Sequence, residues 1–470
     1  MRQVAALLLV SLALAGVGAA PPALAPLVAP RAPSDDKAAL ALIDKYIALD
    51  ELTAESRAAR DALLVELDAA VPPPLTAPQV KNWSKRVLEA WDRGPRLEKK
   101  DGRHFLWKDD RGLYIVGGED KKPKGLFIGL HGGGAGVGDA GELLGEFDGA
   151  IAKQKWLGIY PEVLEKTEHG WTDSGSEEFV LALVERARRT WDIDPDKVFF
   201  GGHSMGGYGS WMLGAHHADV VAALAPSAGA PTPYTDASGR ATDIVEGVVP
   251  NLRNVTMVVY QSDDDPQVPP AANRTAIEKI DAARKRWGGY KVDYWEVGGN
   301  QHNPPPGGFK ALLEKIAKAE RTPRPDKVIW QPVLDWTRQS YWLWWDKPVI
   351  NALVEAELDK KANAVHLKCE QAVAGLAVLL DERTLDPGKE VVVDLNGKEA
   401  WRGVPQARLS TLVLSGARGD PELMYAYRVP VGGAPRYFSD VASLGRYWAM
   451  TTSAFVATVS PPGVAKSACR

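Results

Sequence analysis

A serine between small residues is the first feature of the sequence that suggests chemistry. The stretch Gly202-His203-Ser204-Met205-Gly206 has the form G-x-S-x-G, follows the apolar run KVFFGG at 197–202, and precedes a helical pattern. A sharp strand-to-helix turn exposes a serine hydroxyl and needs tiny residues on both sides of it. The helix N-terminus also favours developing negative charge. We therefore predict Ser204 as a nucleophile; the alternative is an ordinary serine in a glycine-rich turn.

A serine hydroxyl needs an adjacent base to act as a nucleophile at neutral pH. Of the histidines that follow the motif, His302 lies in the glycine-rich loop GGNQHN after the last predicted strand of the strand–helix pattern. His216 and His217 lie on the helix directly after Ser204 and cannot reach back to it, and His366 lies in the C-terminal region. We predict His302 as the base; the alternative is a surface loop histidine.

An acid that orients this base belongs after the predicted strand at 255–260, where Asp263, Asp264 and Asp265 stand in a row. A carboxylate there would hold the imidazole and stabilise its charged form. Spacing alone does not choose among the three. At least two of them would lie in a solvated turn or cap a helix.

A glycine-rich loop supplies candidates for an oxyanion hole, which needs two backbone N–H donors. The sequence His131-Gly132-Gly133-Gly134 follows the apolar run at 125–130. One donor would be Met205, just after the nucleophile, and the other Gly132 or Gly133. A phosphate-binding loop is the weaker alternative, because no Lys-Ser/Thr pair follows and no G-x-G-x-x-G pattern fits.

Several rings are candidates for substrate contact. His131, His203 and Trp171 lie near the predicted site in sequence and could line its pocket; packing in the interior is the equal alternative for Trp171. Exposed aromatic side chains of the C-terminal region could bind sugars or aromatic acids, although such residues more often fill a core or an interface. This cluster consists of Trp330, Trp336, Trp342, Trp344 and Trp345.

Strands and helices alternate over residues 100–322, which predicts a mainly parallel sheet with helices on both faces. The runs HFLW and GLYIV precede the alternation, and Asn396-Gly397 between apolar runs predicts a hairpin farther on. The predicted strands are 125–130, 156–163, 197–202, 220–226, 255–260 and 290–297, and the predicted helices are 177–191, 206–217, 271–287 and 309–319.

Two further segments flank this catalytic domain. Residues 26–99 have a helical pattern, with apolar positions at helical spacing, and predict a helical hairpin packed on the main domain; a cap or a docking arm is the alternative. Residues 327–470 are rich in Val, Trp and Tyr with little helical periodicity and predict a mostly β accessory domain.

The N-terminus predicts export. Met1-Arg2, the apolar stretch at 4–17 and the small residues at Ala23-Leu24-Ala25 form the pattern of a signal peptide over residues 1–25. The apolar stretch is shorter than the ~20 residues of a membrane-spanning helix; an N-terminal membrane anchor is the alternative. We therefore expect a periplasmic or extracellular protein with no stable membrane span after cleavage.

Length and charge restrict the class of protein further. A chain of 470 residues is too long for one ordinary core. Its net charge of −4 gives no electrostatic reason to expect nucleic acid as a partner. Cys369 and Cys469 show no metal-ligand spacing, although an exported protein could join them in a disulfide. We predict no metal and no other cofactor, and the oligomeric state stays open.

The stretch DIDPDKVFFGGHSMGGYGSW at 192–211 resembles secreted esterases related to poly(3-hydroxybutyrate) depolymerases and feruloyl esterases, and also the catalytic domain of prolyl oligopeptidases. The resemblance spans residues 100–320 and implies an α/β-hydrolase fold. In these relatives the acid stands in a pattern like G-x-x-D-x-x-V, which implies Asp265, with Ser262 in place of the glycine. GGNQHN is similar to their histidine loop.

The resemblance implies an exported hydrolase of small or polymeric carboxylic esters with a Ser204–His302–Asp265 triad and an acyl-enzyme. A prolyl oligopeptidase-like serine peptidase is the first alternative. The large β-propeller that usually precedes that peptidase domain has no room in the first hundred residues. A non-catalytic binding protein on a hydrolase scaffold is an alternative of another class.

Overall fold

The structure, a computed structural model, describes residues 34–100, 102–134 and 136–431. The predicted signal peptide at 1–25 and Cys469 lie outside these residues, so export and the disulfide stay predictions. Cys369 is buried. Within the described ranges, no helix is both long enough and apolar enough to cross a membrane.

Three helices begin the described chain, where the sequence predicts a helical hairpin, because the helical segment is interrupted between Ala48 and Ala54. The first two begin at side-chain caps, because Asp35 accepts from the N–H of Ala38 and Thr53 from that of Ser56. Their bounds are Asp36–Ala48 (α1), Ala54–Ala70 (α2) and Ala77–Asp92 (α3).

An eight-stranded sheet follows, with the order β1-β2-β4-β3-β5-β6-β9-β10. Strand β2 is antiparallel to both neighbours, and the strands from β4 to β10 are parallel to one another. The bounds are β1 Gly102–Phe105, β2 Leu113–Gly118, β3 Leu126–Leu130, β4 Leu157–Pro161, β5 Val198–His203, β6 Ala223–Ser227, β9 Thr256–Ser262 and β10 Lys291–Val297, with a separate small hairpin of β7 Pro233–Thr235 and β8 Ala241–Ile244.

Strands β3, β4 and β6 are buried at every residue, which explains their continuous apolar sequences. Five helices cover the two faces of this sheet. Helices α5, α6 and α7 share a core with one face, and α4 and α8 share a core with the other. Their bounds are Ala140–Gln154 (α4), Ser176–Trp191 (α5), Met205–His216 (α6), Ala271–Trp287 (α7) and Gly308–Ile316 (α8).

The parallel sheet, the helices on both faces and the strand order confirm the predicted α/β-hydrolase fold. The sequence did not predict helix α4 or the hairpin of β7 and β8. Helix α4 contains Gly141, Gly145 and Gly149, and each glycine lowers helix propensity by about 1 kcal/mol relative to alanine. Its N-terminus depends on Asp139, which accepts from two backbone N–H groups.

Two smaller sheets form the C-terminal region, in agreement with the mostly β prediction. Their orders are β11-β14-β15-β17-β18 and β12-β13-β16-β19. The predicted hairpin at Asn396-Gly397 is confirmed, because it joins the antiparallel strands β17 and β18. The bounds are Lys327–Trp330 (β11), Gln339–Ser340 (β12), Leu343–Trp345 (β13), Val354–Asp359 (β14), Ala364–Lys368 (β15), Leu376–Leu380 (β16), Val391–Leu395 (β17), Lys398–Gly403 (β18) and Tyr427–Pro430 (β19), with helix α9 at Leu409–Gly416.

The N-terminal helices share their apolar core with these C-terminal sheets rather than with the central sheet. The end of α3 also contacts the main domain, where Trp91 Nε1 donates to Glu185 of α5 at 3.1 Å. Tyr46, Leu64 and Trp83 lie in the same buried cluster as Trp342 and Leu412. Ion pairs between these two parts include Arg408 with Asp68 at 2.8 Å. Four of the five tryptophans of the C-terminal cluster are buried, which confirms the packing interpretation: Trp330, Trp342, Trp344 and Trp345.

Candidate active site at the carboxyl edge of the central sheet

Ser204 lies between β5 and α6 in a backbone conformation that few residues adopt. Its φ is 59° and its ψ is −123°, a strained region for a residue with a side chain. A Cβ on Gly202 or Gly206 would lie 2.1 or 1.7 Å from the carbonyl oxygen of Leu130. Both glycines are therefore required by the close approach of β3. The N–H of Ser204 donates to the carbonyl of Ser227 at 2.9 Å.

The predicted base and one of the three predicted acids are bonded to each other. His302 Nδ1 lies 2.7 Å from Asp265 Oδ2, and the Asp265 side chain is fully buried. Oδ1 of the same carboxylate accepts from the N–H groups of Gln267 and Val268, both at 2.9 Å. A carboxylate only accepts hydrogen bonds, so Nδ1 is the protonated nitrogen and Nε2 of the neutral ring is left as the base.

The other two aspartates, Asp263 and Asp264, lie exposed in a turn, as expected for two of the three, and they also hold the loop that carries His302. Asp263 Oδ1 accepts from the N–H of Gly299 at 3.2 Å, and Asp264 Oδ1 accepts from the N–H of Gln301 at 2.8 Å. The Ser262 hydroxyl donates to Asp264 at 2.6 Å and is the main cause of the lowered pKa of that carboxyl. Three consecutive aspartates thus contact one loop.

His302 lies next to the nucleophile elbow. Its ring centroid is 4.9 Å from that of His203, the residue before Ser204, and His203 Nε2 lies 3.1 Å from the His302 carbonyl oxygen. In the part of the chain that the structure describes, no hydrogen bond joins Ser204 Oγ to His302. Such bonds are often long in free enzymes and tighten when substrate binds. The structure therefore brings the three predicted triad residues to one edge of the sheet.

The glycine-rich loop lies against the nucleophile. A Cβ on Gly132 would be 3.3 Å from Ser204 Cβ and 2.9 Å from the carbonyl oxygen of His203. Met205 is the first residue of α6, where backbone N–H groups have no partner within the helix. Gly133 follows with a φ of 123°, which a residue with a side chain rarely adopts. Donors from both segments therefore flank Ser204.

Two of the residues predicted to line a pocket instead support this loop from beneath. His131 is buried; its Nδ1 donates to the carbonyl of Gly132 at 2.7 Å and its Nε2 accepts from the N–H of Val163 at 3.1 Å. Burial lowers the pKa of His131, so the ring stays neutral in this role. Trp171 has no exposed surface, and its Nε1 donates to the carbonyl of His131 at 3.1 Å. Neither side chain presents a surface to a substrate.

The third predicted pocket residue, His203, also has both ring nitrogens engaged. Nδ1 lies 3.0 Å from the hydroxyl of Ser227, and Nε2 bonds the carbonyl of His302. Burial, together with the nearby His302 ring, lowers the pKa of His203 to about 4. A ring with no free nitrogen does not offer a polar contact to substrate, but the ring is only partly buried, so its place in a pocket wall stays a prediction.

The remaining histidines after the motif lie away from Ser204, as predicted. His216 Nδ1 and His217 Nε2 each lie 2.9 Å from the buried carboxylate of Glu177. His366 lies on β15 in the C-terminal region. Among the described residues, no cluster of three or more histidine, cysteine or acidic side chains is arranged to hold a metal ion.

Sequence reasoning missed two buried amides that connect the loops of the site. Gln261 Nε2 donates to the carbonyl of Val268 at 2.9 Å in the loop of Asp265. Asn273 Nδ2 donates to Gln261 Oε1 at 2.7 Å and to the carbonyl of Gly229 at 3.2 Å. A polar residue near the end of the apolar strand β9 is the one sequence signal that could have identified Gln261.

A half-buried tyrosine near the nucleophile was missed too. Tyr208 lies one helical turn after Ser204 on α6, and its hydroxyl lies 2.8 Å from that of Thr172. The ring of His169 meets its ring edge-on at 5.2 Å. Thr172 and His169 belong to the segment after β4, and together with Tyr208 they form one wall beside the nucleophile.

The strand order, the strained serine elbow and the histidine loop after the last strand together define a protein with the α/β-hydrolase fold. No protein-family model matches the sequence, and no curated protein matches it. Solved structures to which it is similar include a thermostable esterase, at 19% identity and a TM-score of 0.35, over 47% of this chain and 63% of that one. The chain thus spans less than two thirds of that esterase.

Two other structures match a similar share of the chain. A phospholipase/carboxylesterase from Dyadobacter fermentans is 14% identical, with 44% of this chain and 96% of that one covered and a TM-score of 0.33. LpqC, a poly(3-hydroxybutyrate) depolymerase from Bordetella parapertussis, is 17% identical, with 46% and 88% covered and a TM-score of 0.35. The fold assignment rests on the strand order and the elbow of this chain itself.

Proposed function

We propose that this protein is an exported serine hydrolase that cleaves carboxylic esters through an acyl-enzyme. The bond of His302 Nδ1 to the buried carboxylate of Asp265, at 2.7 Å and beside the strained turn of Ser204, is the observation that carries the proposal. A nucleophile, an orienting acid and a base, in this order along the chain, are typical of the fold. The proposal includes no metal and no cofactor.

In the proposed reaction Ser204 Oγ attacks the ester carbonyl carbon while its proton moves to His302 Nε2. The carbonyl oxygen becomes an oxyanion and accepts from the N–H groups of Met205 and of Gly132 or Gly133. The bond to the alcohol oxygen then breaks, and that oxygen takes the proton from Nε2. This leaves an acyl-enzyme and releases the alcohol.

Deacylation repeats these steps with water. His302 Nε2 takes a proton from water, the hydroxide attacks the acyl carbon, and the Ser204 oxygen leaves with the proton from Nε2. The Asp265 carboxylate accepts the hydrogen bond of the His302 Nδ1–H group throughout and stabilises the imidazolium that forms in each step. Its two backbone bonds fix the plane of the carboxylate, so the ring is held in one orientation.

A fluorophosphonate probe tests the nucleophile, because it labels a serine only where a base activates it. We expect labelling of the wild type and none of Ser204→Ala. The matched control is Ser210→Ala on the same helix, whose hydroxyl donates to the Gly206 carbonyl of its own helix at 2.8 Å. That variant should label like the wild type. Folded wild-type protein that does not label would favour the non-catalytic binding alternative and overturn the proposal.

Parallel assays on p-nitrophenyl acyl esters and aminoacyl anilides separate an esterase from a peptidase. We expect hydrolysis of the esters, which have the better leaving group, with a preference that depends on acyl size. Hydrolysis of the anilides alone would overturn the ester assignment and favour the peptidase alternative. Where the chain is expressed with its N-terminus, sequencing of the mature protein from the periplasm or medium tests export.

A further inference from the structure

We propose that His203 is a positioning residue of the reaction, which holds the loop of His302 at a fixed distance from the nucleophile, and that Ser227 supports its ring through a hydrogen bond to Nδ1. This inference rests on the proposed function of Ser204 and His302. It assigns to His203 a role that neither the G-x-S-x-G pattern nor the triad requires.

The order of strands in the sheet places the nucleophile and its base on loops that are not adjacent. Ser204 follows β5, whereas the loop of His302 follows β10, and strands β6 and β9 lie between them. No strand pairing therefore connects the nucleophile to its base directly. The distance between Ser204 and His302 therefore depends on the contacts that cross this edge of the sheet.

Three of the hydrogen bonds at this edge form a path from the backbone of Ser204 to the backbone of His302. The N–H of Ser204 donates to the carbonyl of Ser227 at 2.9 Å, Ser227 Oγ lies 3.0 Å from His203 Nδ1, and His203 Nε2 lies 3.1 Å from the carbonyl oxygen of His302. His203 and Ser227 are also direct partners in the parallel pairing of β5 with β6. The bonds thus run from the backbone of the nucleophile to the backbone of the base.

The direction of each bond follows from the chemistry of the groups. The carbonyl of His302 only accepts, so His203 Nε2 has to carry the ring proton. Nδ1 of the neutral ring is then an acceptor, and the Ser227 hydroxyl donates to it. The His302 carbonyl thus selects the tautomer of His203, and the Ser227 hydroxyl, which can donate or accept, stabilises it by donating to Nδ1.

The surroundings of His203 keep the ring neutral and in place. Burial and the adjacent His302 ring lower its pKa to about 4, while the charge of Asp265 acts in the opposite direction. The ring of Phe309 on α8 packs against it edge-on at 5.7 Å. Because both nitrogens are bonded, His203 does not compete with His302 as the base for Ser204.

Two amide substitutions test the role of the Nε2 donor. In His203→Gln the amide nitrogen reaches about as far from the backbone as Nε2 does, so it can still donate to the His302 carbonyl. In His203→Asn the amide ends near the position of Nδ1 and reaches only Ser227. We expect His203→Asn to lower kcat for a p-nitrophenyl ester by about ten- to hundredfold, the cost of a base displaced by up to about 1 Å.

The conservative variant should largely restore the rate. We expect His203→Gln to stay within about threefold of the wild-type kcat, and KM to change by less than about twofold in both variants, because the bonds position the base rather than the substrate. Ser227→Ala should lower kcat by an intermediate factor, since it removes the hydrogen bond that holds the ring at Nδ1. If His203→Asn does not fold, Ser227→Ala replaces it as the test variant. A wild-type kcat in folded Ser227→Ala would then overturn the proposal.

A spectroscopic measurement separates positioning from a general loss of structure. The proton on His302 Nδ1, bonded to Asp265, should give a downfield resonance in the ¹H NMR spectrum of the wild type and of His203→Gln. In His203→Asn we expect this resonance to shift or broaden while the melting temperature stays close to that of the wild type. Unchanged kcat and resonance in His203→Asn would overturn the proposal.

Equal losses of kcat in folded Gln and Asn variants would also overturn it, because the donor would then make no difference. If the wild type neither labels with a fluorophosphonate nor hydrolyses esters, the proposed function has failed. The positioning role is then decided by the NMR resonance alone, so the two failures are distinguishable.

Discussion

Replacing Asp265 by asparagine changes one atom of the site, and the structure dictates the consequence. Oδ1 of Asp265 accepts from the N–H groups of Gln267 and Val268, so the asparagine oxygen has to take that position to keep both bonds. The new NH₂ group then faces His302 Nδ1. Two donors repel there unless the ring moves its proton to Nε2. Nε2 is the nitrogen that has to accept the proton of Ser204.

We expect kcat of Asp265→Asn to fall by about 10⁴-fold, as in a triad whose histidine adopts the wrong tautomer. That loss corresponds to about 5.4 kcal/mol of transition-state stabilisation, at about 1.36 kcal/mol per factor of ten. The melting temperature should change little, because the side chains have the same shape and both backbone bonds remain. Steady-state kinetics on a p-nitrophenyl ester and a thermal melt of the same preparation measure both quantities.

The neighbouring aspartates provide matched controls. Asparagine at 263 or 264 keeps an acceptor oxygen for the N–H of Gly299 or Gln301. Both variants should retain kcat within about tenfold, because each side chain is exposed and its hydrogen bond to the loop is kept. A larger loss in Asp263→Asn or Asp264→Asn than in Asp265→Asn would refute the assignment of the acid.

Three further predictions concern the parts that support the triad. Gly132→Ala places a Cβ 2.9 Å from the carbonyl oxygen of His203, so fluorophosphonate labelling should slow by about 10²-fold, the cost of one lost oxyanion donor. Gly206→Ala places a Cβ 1.7 Å from the carbonyl oxygen of Leu130, so thermal or urea unfolding should show a loss of at least about 3 kcal/mol. Deleting residues 1–93 uncovers the apolar core shared with the C-terminal sheets, so size-exclusion chromatography should show aggregation.

Controls for these predictions come from the same chain. Gly145 lies in helix α4 with nothing within 4 Å of an added Cβ, so Gly145→Ala should keep full labelling and gain about 0.5–1 kcal/mol of stability. Wild-type labelling by Gly132→Ala, or a stable Gly206→Ala, would contradict the close approach of the backbone at these glycines. A monomeric deletion variant with an unchanged melting temperature would contradict the shared core.

Local patterns in the sequence were enough for the fold and for the approximate position of the site. The alternation of apolar strands with helices predicted the parallel sheet, because each buried strand needs a continuous apolar run whatever it pairs with. The serine elbow and the Asn396-Gly397 hairpin were also predictable from local sequence, because each depends on the backbone freedom of a few adjacent residues. Helix α4, with its three glycines, lacked such a local signal.

Spacing left three adjacent aspartates open and the family resemblance implied Asp265, but the tertiary structure decided which of them faces His302. Consecutive residues of a turn differ in direction and burial, which spacing along the chain does not record. The same holds for His131 and Trp171, whose burial and hydrogen bonds make them supports of the glycine-rich loop rather than pocket walls. It also holds for the N-terminal helices, because an apolar helix face records that it is buried but not what covers it.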